Sequence, residues 1–184
     1  MIQRFCQWIL YKQMGWTKEI TVVHPDKYII CLAPHTSNWD FILGQLYMRA
    51  EGLHIGFLMK REWFRGPLGT FFRRIGGIPV YRTKNNSMTD NLAETARREK
   101  KFNLCITPEG TRSRNAEWKR GFYFIAWKAG IPILLYALDY ERKHIACTKS
   151  LVPTGDVESE MRQIKEYFRG CKGKYPEKFT IGDD

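Results

Sequence analysis

The stretch YIICLAPHTSNWDF, residues 28–41, decides the fold class predicted for this chain. Its first six residues form a continuous apolar run, which is typical of a strand covered on both faces. A short polar loop follows, and residues 39–50 then predict a helix that Gly52 ends. A buried strand followed directly by a helix is the repeating unit of α/β proteins.

The rest of the chain continues this alternation. Further strands are predicted at 53–59, 78–81, 102–107 and 131–138, and further helices at 88–101, 116–129 and 156–169. Strands that alternate with helices predict an α/β fold with a largely parallel sheet flanked by helices. A length of 184 residues fits a single domain.

The composition is that of a folded, strongly basic protein. Hydrophobic residues make up 43% of the chain and aromatic residues 14%, which argues against disorder. The five cysteines are scattered and lack C-x-x-C spacing, so neither a disulfide framework nor a metal site is predicted, and a reducing compartment is expected. The net charge of +11 attracts anions, whether nucleic acid, anionic lipid headgroups or phosphorylated substrates.

The first residues predict an amphipathic helix. Apolar side chains at helical spacing define one face, which comprises Ile2, Phe5, Cys6, Ile9 and Leu10. Two interpretations remain open: the helix lies in a membrane interface, or it packs on the core. No apolar run approaches the ~20 residues that span a bilayer. Residues 1–27 are assigned to the amphipathic helix and the segment that leads into the first strand.

A histidine and a carboxylate follow the first predicted strand. Imidazole is the side chain that titrates near neutral pH, so His35 is a candidate general base. Asp40, at the start of the next helix, could accept a hydrogen bond from the other ring nitrogen and stabilise the imidazolium. The alternative is a hydrogen-bonded loop histidine beside a carboxylate at a helix N-terminus.

A second polar loop, TPEGTRSR at residues 107–114, follows another predicted strand. Gly110 would let a ligand approach the backbone closely, and Glu109 could accept a hydrogen bond from a hydroxyl. The guanidinium groups of Arg112 and Arg114 can each form two parallel hydrogen bonds to phosphate oxygens. The alternative is a tight turn with solvated charges.

Parallel topology would bring these two loops together. In open α/β sheets, ligands bind beyond the carboxyl ends of the strands, so His35 and Glu109 should share one cleft. Lys60 ends one predicted strand and Arg82 follows another, and both could add positive charge at this edge. Taken singly, each of these cations is expected to be a solvated surface charge.

Four segments together resemble a known family. HTSNWD, GGIPVYR, TPEGTRSR and GIPILLYAL occur in the order and spacing of the four blocks of the glycerol-3-phosphate and lysophosphatidic acid acyltransferase family. The resemblance covers roughly residues 28–140 and implies an acyltransferase domain at 28–170, with a C-terminal tail at 171–184. This tail, with the sequence KGKYPEKFTIGDD at residues 172–184, is expected to be the most flexible end of the chain.

The resemblance also implies roles for individual residues. His35 resembles the catalytic base of the family and Asp40 its partner. The resemblance also implies that six residues bind the acceptor: Lys60, Arg82, Glu109, Gly110, Thr111 and Arg112. Among these, Lys60 matches the family least closely. The implied reaction moves a fatty acyl group from acyl-CoA or acyl-acyl-carrier-protein to a hydroxyl of a glycerophosphate-type lipid, with 1-acylglycerol-3-phosphate as the expected acceptor.

The same resemblance implies no cofactor besides the thioester co-substrate, no metal, and peripheral attachment to the cytoplasmic face of a membrane. Another lipid acceptor remains an alternative. A nucleic-acid-binding domain is a more distant one, because the basic residues are spread along the chain and no recognition motif is present. A serine hydrolase lacks its G-x-S-x-G motif here, and an inactive lipid-binding relative would not need both His35 and Asp40.

Overall fold

Strands from the whole length of the chain join one sheet in the computed structural model, which describes residues 1–80 and 88–182. The strands are β1 (Thr17–Ile20), β2 (Lys27–Ala33), β3 (Gly56–Lys60), β4 (Gly77–Val80), β5 (Phe102–Ile106), β6 (Ile133–Asp139) and β7 (His144–Leu151). Their order across the sheet is β1-β7-β6-β2-β5-β3-β4. Strands β2 to β6 run parallel, whereas β7 is antiparallel to β6 and β1 is parallel to β7.

Helices cover both faces of this sheet. They are α1 (Ile2–Gln7), α2 (Trp39–Glu51), α3 (Gly66–Arg74), α4 (Met88–Arg98), α5 (Gly121–Ala129) and α6 (Val157–Tyr167). A π-helical turn over Trp8–Gln13 continues α1, and short 3-10 segments occur at Arg61–Phe64 and Pro176–Lys178. The predicted fold class, a largely parallel α/β sheet flanked by helices, is confirmed.

Strand β2 divides the core between the two faces because its side chains alternate. Ile29 and Cys31 join the cluster under α4, α5 and α6, whereas Tyr28 and Ile30 join the cluster under α1 and α2. Both faces are therefore buried, which explains the continuous apolar run in the sequence. The predicted helix stops are also found, since Gly52 and Gly130 have φ values of 68° and 66° in the left-handed region.

Three elements were not predicted: β1, β7 and α3. Strand β1 is a mostly exposed edge strand with the polar sequence TKEI, and it pairs only because β7 lies beside it. In β7, two buried side chains alternate with partly exposed ones before a polar run, which is too short a pattern to indicate a strand. Helix α3 contains two glycines, and Gly69 packs where a Cβ would lie 2.2 Å from the carbonyl oxygen of Phe64.

The N-terminal helix divides its predicted apolar face. Cys6 and Leu10 are buried in the core against α2, while Ile2 and Phe5 are exposed together with Trp8. The prediction of one continuous face that includes Leu10 is therefore wrong, because the helix docks by the part of the face nearest α2. Among the helices of the described residues, none has the length and apolar content needed to cross a bilayer.

The C-terminal tail packs on the domain, in contrast to the flexible end expected from its polar sequence. The indole Nε1 of Trp118 donates to the carbonyl oxygen of Thr180 at 3.1 Å, and Thr180 is buried. Closer to α6, the backbone N–H of Tyr140 donates to the carbonyl oxygen of Lys172 at 2.8 Å. Residues 172–182 thus return along the carboxyl edge of the sheet, where the two predicted loops lie.

Candidate active site

The loop between β2 and α2 is folded around one carboxylate. Oδ2 of Asp40 accepts the backbone N–H groups of Thr36 and Ser37 at 2.8 and 2.9 Å, and it lies 3.0 Å from Nδ1 of His35. Asp40 is 1% exposed, whereas the His35 side chain is 20% exposed. The carboxylate therefore holds the loop in shape and fixes the ring of His35 at the cleft.

The environment of Asp40 keeps it ionised. Burial alone would raise the pKa of this carboxyl, but hydrogen bonds from His35, Tyr140 and the Ser37 backbone outweigh burial and lower the pKa below its ordinary value. An ionised Asp40 accepts a hydrogen bond from the protonated Nδ1 of His35. In this tautomer, Nε2 of His35 keeps its lone pair. Within the described part of the chain, Nε2 has no hydrogen-bond partner.

Tyr140 belongs to this site although sequence reasoning missed it. Its hydroxyl donates to Oδ1 of Asp40 at 2.6 Å, and Trp16 packs edge-on against its ring with centroids 5.1 Å apart. Burial, and next the hydrogen bond to Asp40, raise the pKa of Tyr140, so its proton stays in place. The available signal was its position directly after β6, at the same sheet edge as His35.

Glu109 contacts the loop that carries His35. Its Oε1 accepts the backbone N–H of His35 at 2.8 Å, and the residue is 3% exposed. Its other oxygen, Oε2, is buried without a hydrogen-bond partner among the described residues. Burial raises the pKa of Glu109 to about 7. The loop after β5 is thereby joined to the loop after β2, as the parallel topology predicted.

The rest of the Glu109 loop is shaped by a glycine and an asparagine. Gly110 has a φ of 65°, which strains any other residue, and its N–H donates to the carbonyl oxygen of Thr107 at 3.2 Å. Asn115, which sequence reasoning missed, donates from Nδ2 to the carbonyl oxygen of Glu109 at 2.9 Å. Thr111 is exposed, and its hydroxyl accepts the backbone N–H of Ser113.

The predicted cations differ in how the structure places them. Arg112 hydrogen-bonds to Oδ1 of Asn38, which lies between His35 and Asp40 in the chain, so this guanidinium belongs to the cleft. Lys60 is exposed at the carboxyl end of β3, at the same edge of the sheet as His35. Arg82 lies outside the described residues.

An apolar cavity of about 80 Å³ lies between α2 and the sheet. Its lining includes Asp40, Phe41 and Gly44 of α2 and Tyr136 of β6. The ring of Phe41 packs edge-on against Phe57, with centroids 5.0 Å apart. Asp40 thus borders an apolar cavity, while Arg112 places a charged group at Asn38 of the same loop.

No group of three or more His, Cys, Asp or Glu side chains within residues 1–80 and 88–182 is arranged to hold a metal ion. The chemistry that this site can perform rests on an oriented imidazole, a buried carboxylate and a neighbouring arginine. Such a set suits proton transfer from a hydroxyl during group transfer.

Comparison with known proteins defines the class. The model of the acyltransferase family matches residues 17–138, a segment that contains both loops of the site. The chain belongs to the acyltransferase family, and it is therefore an enzyme of acyl transfer.

A solved structure shares the fold. The 1-acyl-sn-glycerophosphate (LPA) acyltransferase PlsC from Thermotoga maritima superposes with a TM-score of 0.58 at 17% sequence identity, covering 94% of this chain and 80% of that one. At this identity, the likeness concerns the fold. A search of curated proteins found no match.

Proposed function

We propose that this acyltransferase moves a fatty acyl group from acyl-CoA or acyl-acyl-carrier-protein to the free hydroxyl of 1-acylglycerol-3-phosphate. The observation that carries the proposal is the pairing of Asp40 with Nδ1 of His35 at 3.0 Å, at the carboxyl edge of a parallel sheet. This pairing orients Nε2 as a base toward the cleft. No cofactor is needed beyond the thioester co-substrate.

The reaction follows from this geometry. Nε2 of His35 takes the proton of the acceptor hydroxyl while the hydroxyl oxygen bonds to the thioester carbonyl carbon. Asp40 stabilises the imidazolium that forms. The carbon–sulfur bond then breaks, and the imidazolium returns the proton to the leaving thiolate. The amides of Thr36 and Ser37 already donate to Asp40, so other donors must stabilise the oxyanion.

Two features support a lipid phosphate acceptor and a fatty acyl donor. Arg112 provides a guanidinium beside the catalytic loop, and guanidinium is well suited to bind a phosphomonoester. The apolar cavity behind Asp40 offers a site for part of a hydrocarbon chain, because burying such a chain is favourable by about 0.8 kcal/mol per CH₂ group. A neutral lipid acceptor would make no use of Arg112.

The decisive experiment compares acceptors and donors directly. The purified protein is incubated with labelled acyl-CoA or acyl-acyl-carrier-protein and a panel of lipid acceptors, and products are identified by mass spectrometry. His35→Ala should lower turnover about 10²–10⁴-fold, the usual cost of a lost general base. His54→Ala, at an exposed position beyond α2, is the matched control.

Either of two results would reject this proposal. Turnover by folded His35→Ala at the wild-type rate would reject the base, and preference for a neutral acceptor would leave only the acyltransferase class. Nucleic acid added at equal charge should not compete with lipid acceptors, which tests the remaining alternative for the basic surface.

We also propose that the protein binds the cytoplasmic face of a membrane peripherally. Exposed apolar side chains support this: Ile2, Phe5 and Trp8 on the N-terminal helix, and Trp63, Leu68 and Phe71 around α3. The N-terminal group lies near Arg4 and Lys12, and the second lies near Arg65 and Arg73, so both combine apolar and cationic side chains.

Vesicle flotation tests this docking. Substituting Phe5 and Trp8 with Ser should weaken binding to vesicles of phosphatidylglycerol and phosphatidylethanolamine, and salt should weaken it further. Point substitutions are better than a deletion, since Leu10 belongs to the core. Val23→Ser, at another exposed apolar position, is the control. Unchanged flotation of the double variant would exclude the N-terminal helix as the membrane contact.

A further inference from the structure

The carboxylate of Asp40 is held from two directions. On one side, Oδ2 accepts hydrogen bonds from His35 and from two backbone amides of the loop before α2. On the other side, the described residues provide Oδ1 with one donor, the hydroxyl of Tyr140 at 2.6 Å. Because Asp40 is 1% exposed, water cannot readily replace this donor.

Tyr140 is itself fixed by residues from both ends of the chain. Trp16 packs against its ring at an interplanar angle of 88°. Its backbone N–H donates to the carbonyl oxygen of Lys172 at 2.8 Å. The phenol that supports Asp40 therefore depends on the C-terminal segment for its own position.

The same segment also contacts the catalytic loop directly. The backbone N–H of Tyr175 donates to Oγ1 of Thr36 at 3.2 Å, and Nζ of Lys174 lies 4.6 Å from the ring centroid of Trp39. Between these contacts, Gly173 faces Thr36. A Cβ on Gly173 would lie 2.6 Å from Oγ1 and 2.7 Å from Cγ2 of Thr36, so a side chain there would displace the loop.

We propose that Tyr140 and residues 172–175, here termed the C-terminal strap, are positioning elements that hold the His35–Asp40 pair in its reactive geometry. This inference rests on the proposed base role of His35. The strap closes a ring of contacts: Thr36 to Tyr175, Lys172 to Tyr140, and Tyr140 to Asp40. A segment outside the family-matched residues 17–138 thus becomes part of the working site.

The first test removes one hydroxyl with Tyr140→Phe. With 1-oleoylglycerol-3-phosphate and palmitoyl-CoA, kcat should fall about tenfold, as for loss of one hydrogen bond to a charged group, while both KM values hold. The acidic limb of the kcat/KM profile should move to higher pH, because a carboxylate that loses a donor is a weaker acid. A general structural defect would lower the rate equally at every pH.

A spectroscopic measurement makes the test independent of substrate choice. The Nδ1 proton of His35, identified by its absence in His35→Gln, should shift in the NMR spectrum of Tyr140→Phe because the partner carboxylate has changed. An unchanged Nδ1 signal together with an unchanged pH profile would overturn the role of Tyr140. If His35→Ala is inactive at the same time, the proposed function stands and the positioning role alone fails.

The second test introduces one methyl group into the strap. Gly173→Ala should lower kcat by about tenfold or more, since misplacement of about 1 Å costs up to about 10²-fold. Gly121→Ala, where a Cβ meets nothing closer than 3.9 Å, is the matched control. Thr36→Ala, which removes the oxygen that accepts the Tyr175 N–H, should also lower kcat. Wild-type kcat in either Gly173→Ala or Thr36→Ala would overturn the role of the strap.

Discussion

The substitution Glu109→Gln should make the fold more stable at alkaline pH. Burial raises the pKa of Glu109 from its ordinary 4.5 to about 7, so the folded protein binds a proton that the unfolded chain has already lost. The difference corresponds to about 3 kcal/mol of unfolding free energy. Stability from this group is fully present below pH 4.5 and is lost as the pH rises to about 7.

Glutamine retains the essential contact without the charge. Its carbonyl oxygen can accept the N–H of His35 as Oε1 does now, and its amide replaces an oxygen that has no hydrogen-bond partner within residues 1–80 and 88–182. The variant should exceed the wild type by about 1 kcal/mol at pH 5 and by about 3 kcal/mol at pH 8. For a domain of this size, that gain raises Tm by roughly 6–12 °C.

Urea unfolding of both proteins between pH 5 and 8 measures this difference. Asp40 titrates below that range, and burial lowers the pKa of His24 in both proteins alike. The pH-dependent part of the difference therefore reports Glu109 together with its electrostatic coupling to His35 and Asp40. Glu94→Gln, on the exposed face of α4, is the matched control and should show no pH-dependent gain. A constant difference across the range, or a less stable variant at pH 8, would refute the reasoning.

Three further predictions concern activity. Asp40→Asn should lower kcat about 10³-fold, because two opposite unit charges about 4 Å apart near a protein surface attract by about 4 kcal/mol, and Oδ2 of Asp40 lies 3.0 Å from Nδ1 of His35. A rate above a tenth of wild type would contradict this. Arg112→Ala should raise KM for 1-acylglycerol-3-phosphate more than KM for the donor in steady-state assays, whereas the control Arg98→Ala, at the opposite sheet edge, should leave both unchanged. Gly44→Leu should fill the cavity and shift the preferred acyl donor to shorter chains in mass-spectrometric competition assays, while helix α2 gains up to about 1 kcal/mol from the lost glycine; an unchanged chain-length profile would exclude the cavity as the acyl site.

The sequence carried much of the fold because its strongest signals are local. Strands β2 and β6 are buried on both faces, so their apolar runs were evident, and Gly52 and Gly130 marked the ends of α2 and α5. Strand β1 has no apolar run in its sequence. It is a polar edge strand whose extended conformation is stabilised by pairing with β7. The helix predicted at 116–129 begins only at Gly121, because Trp118 turns into the core and donates to the tail.

In the site, too, the sequence predicts some contacts and only the tertiary structure shows the others. The spacing of His35 and Asp40 allows their pairing, because Asp40 lies in the first turn of α2 and the short loop before it brings the imidazole back to the carboxylate. Parallel topology, also readable from the sequence, joined Glu109 to that loop. Only the tertiary structure decided that Tyr140 donates to Asp40 and that residues 172–175 hold Thr36, because these contacts join residues 100 or more positions apart and no local sequence pattern indicates them.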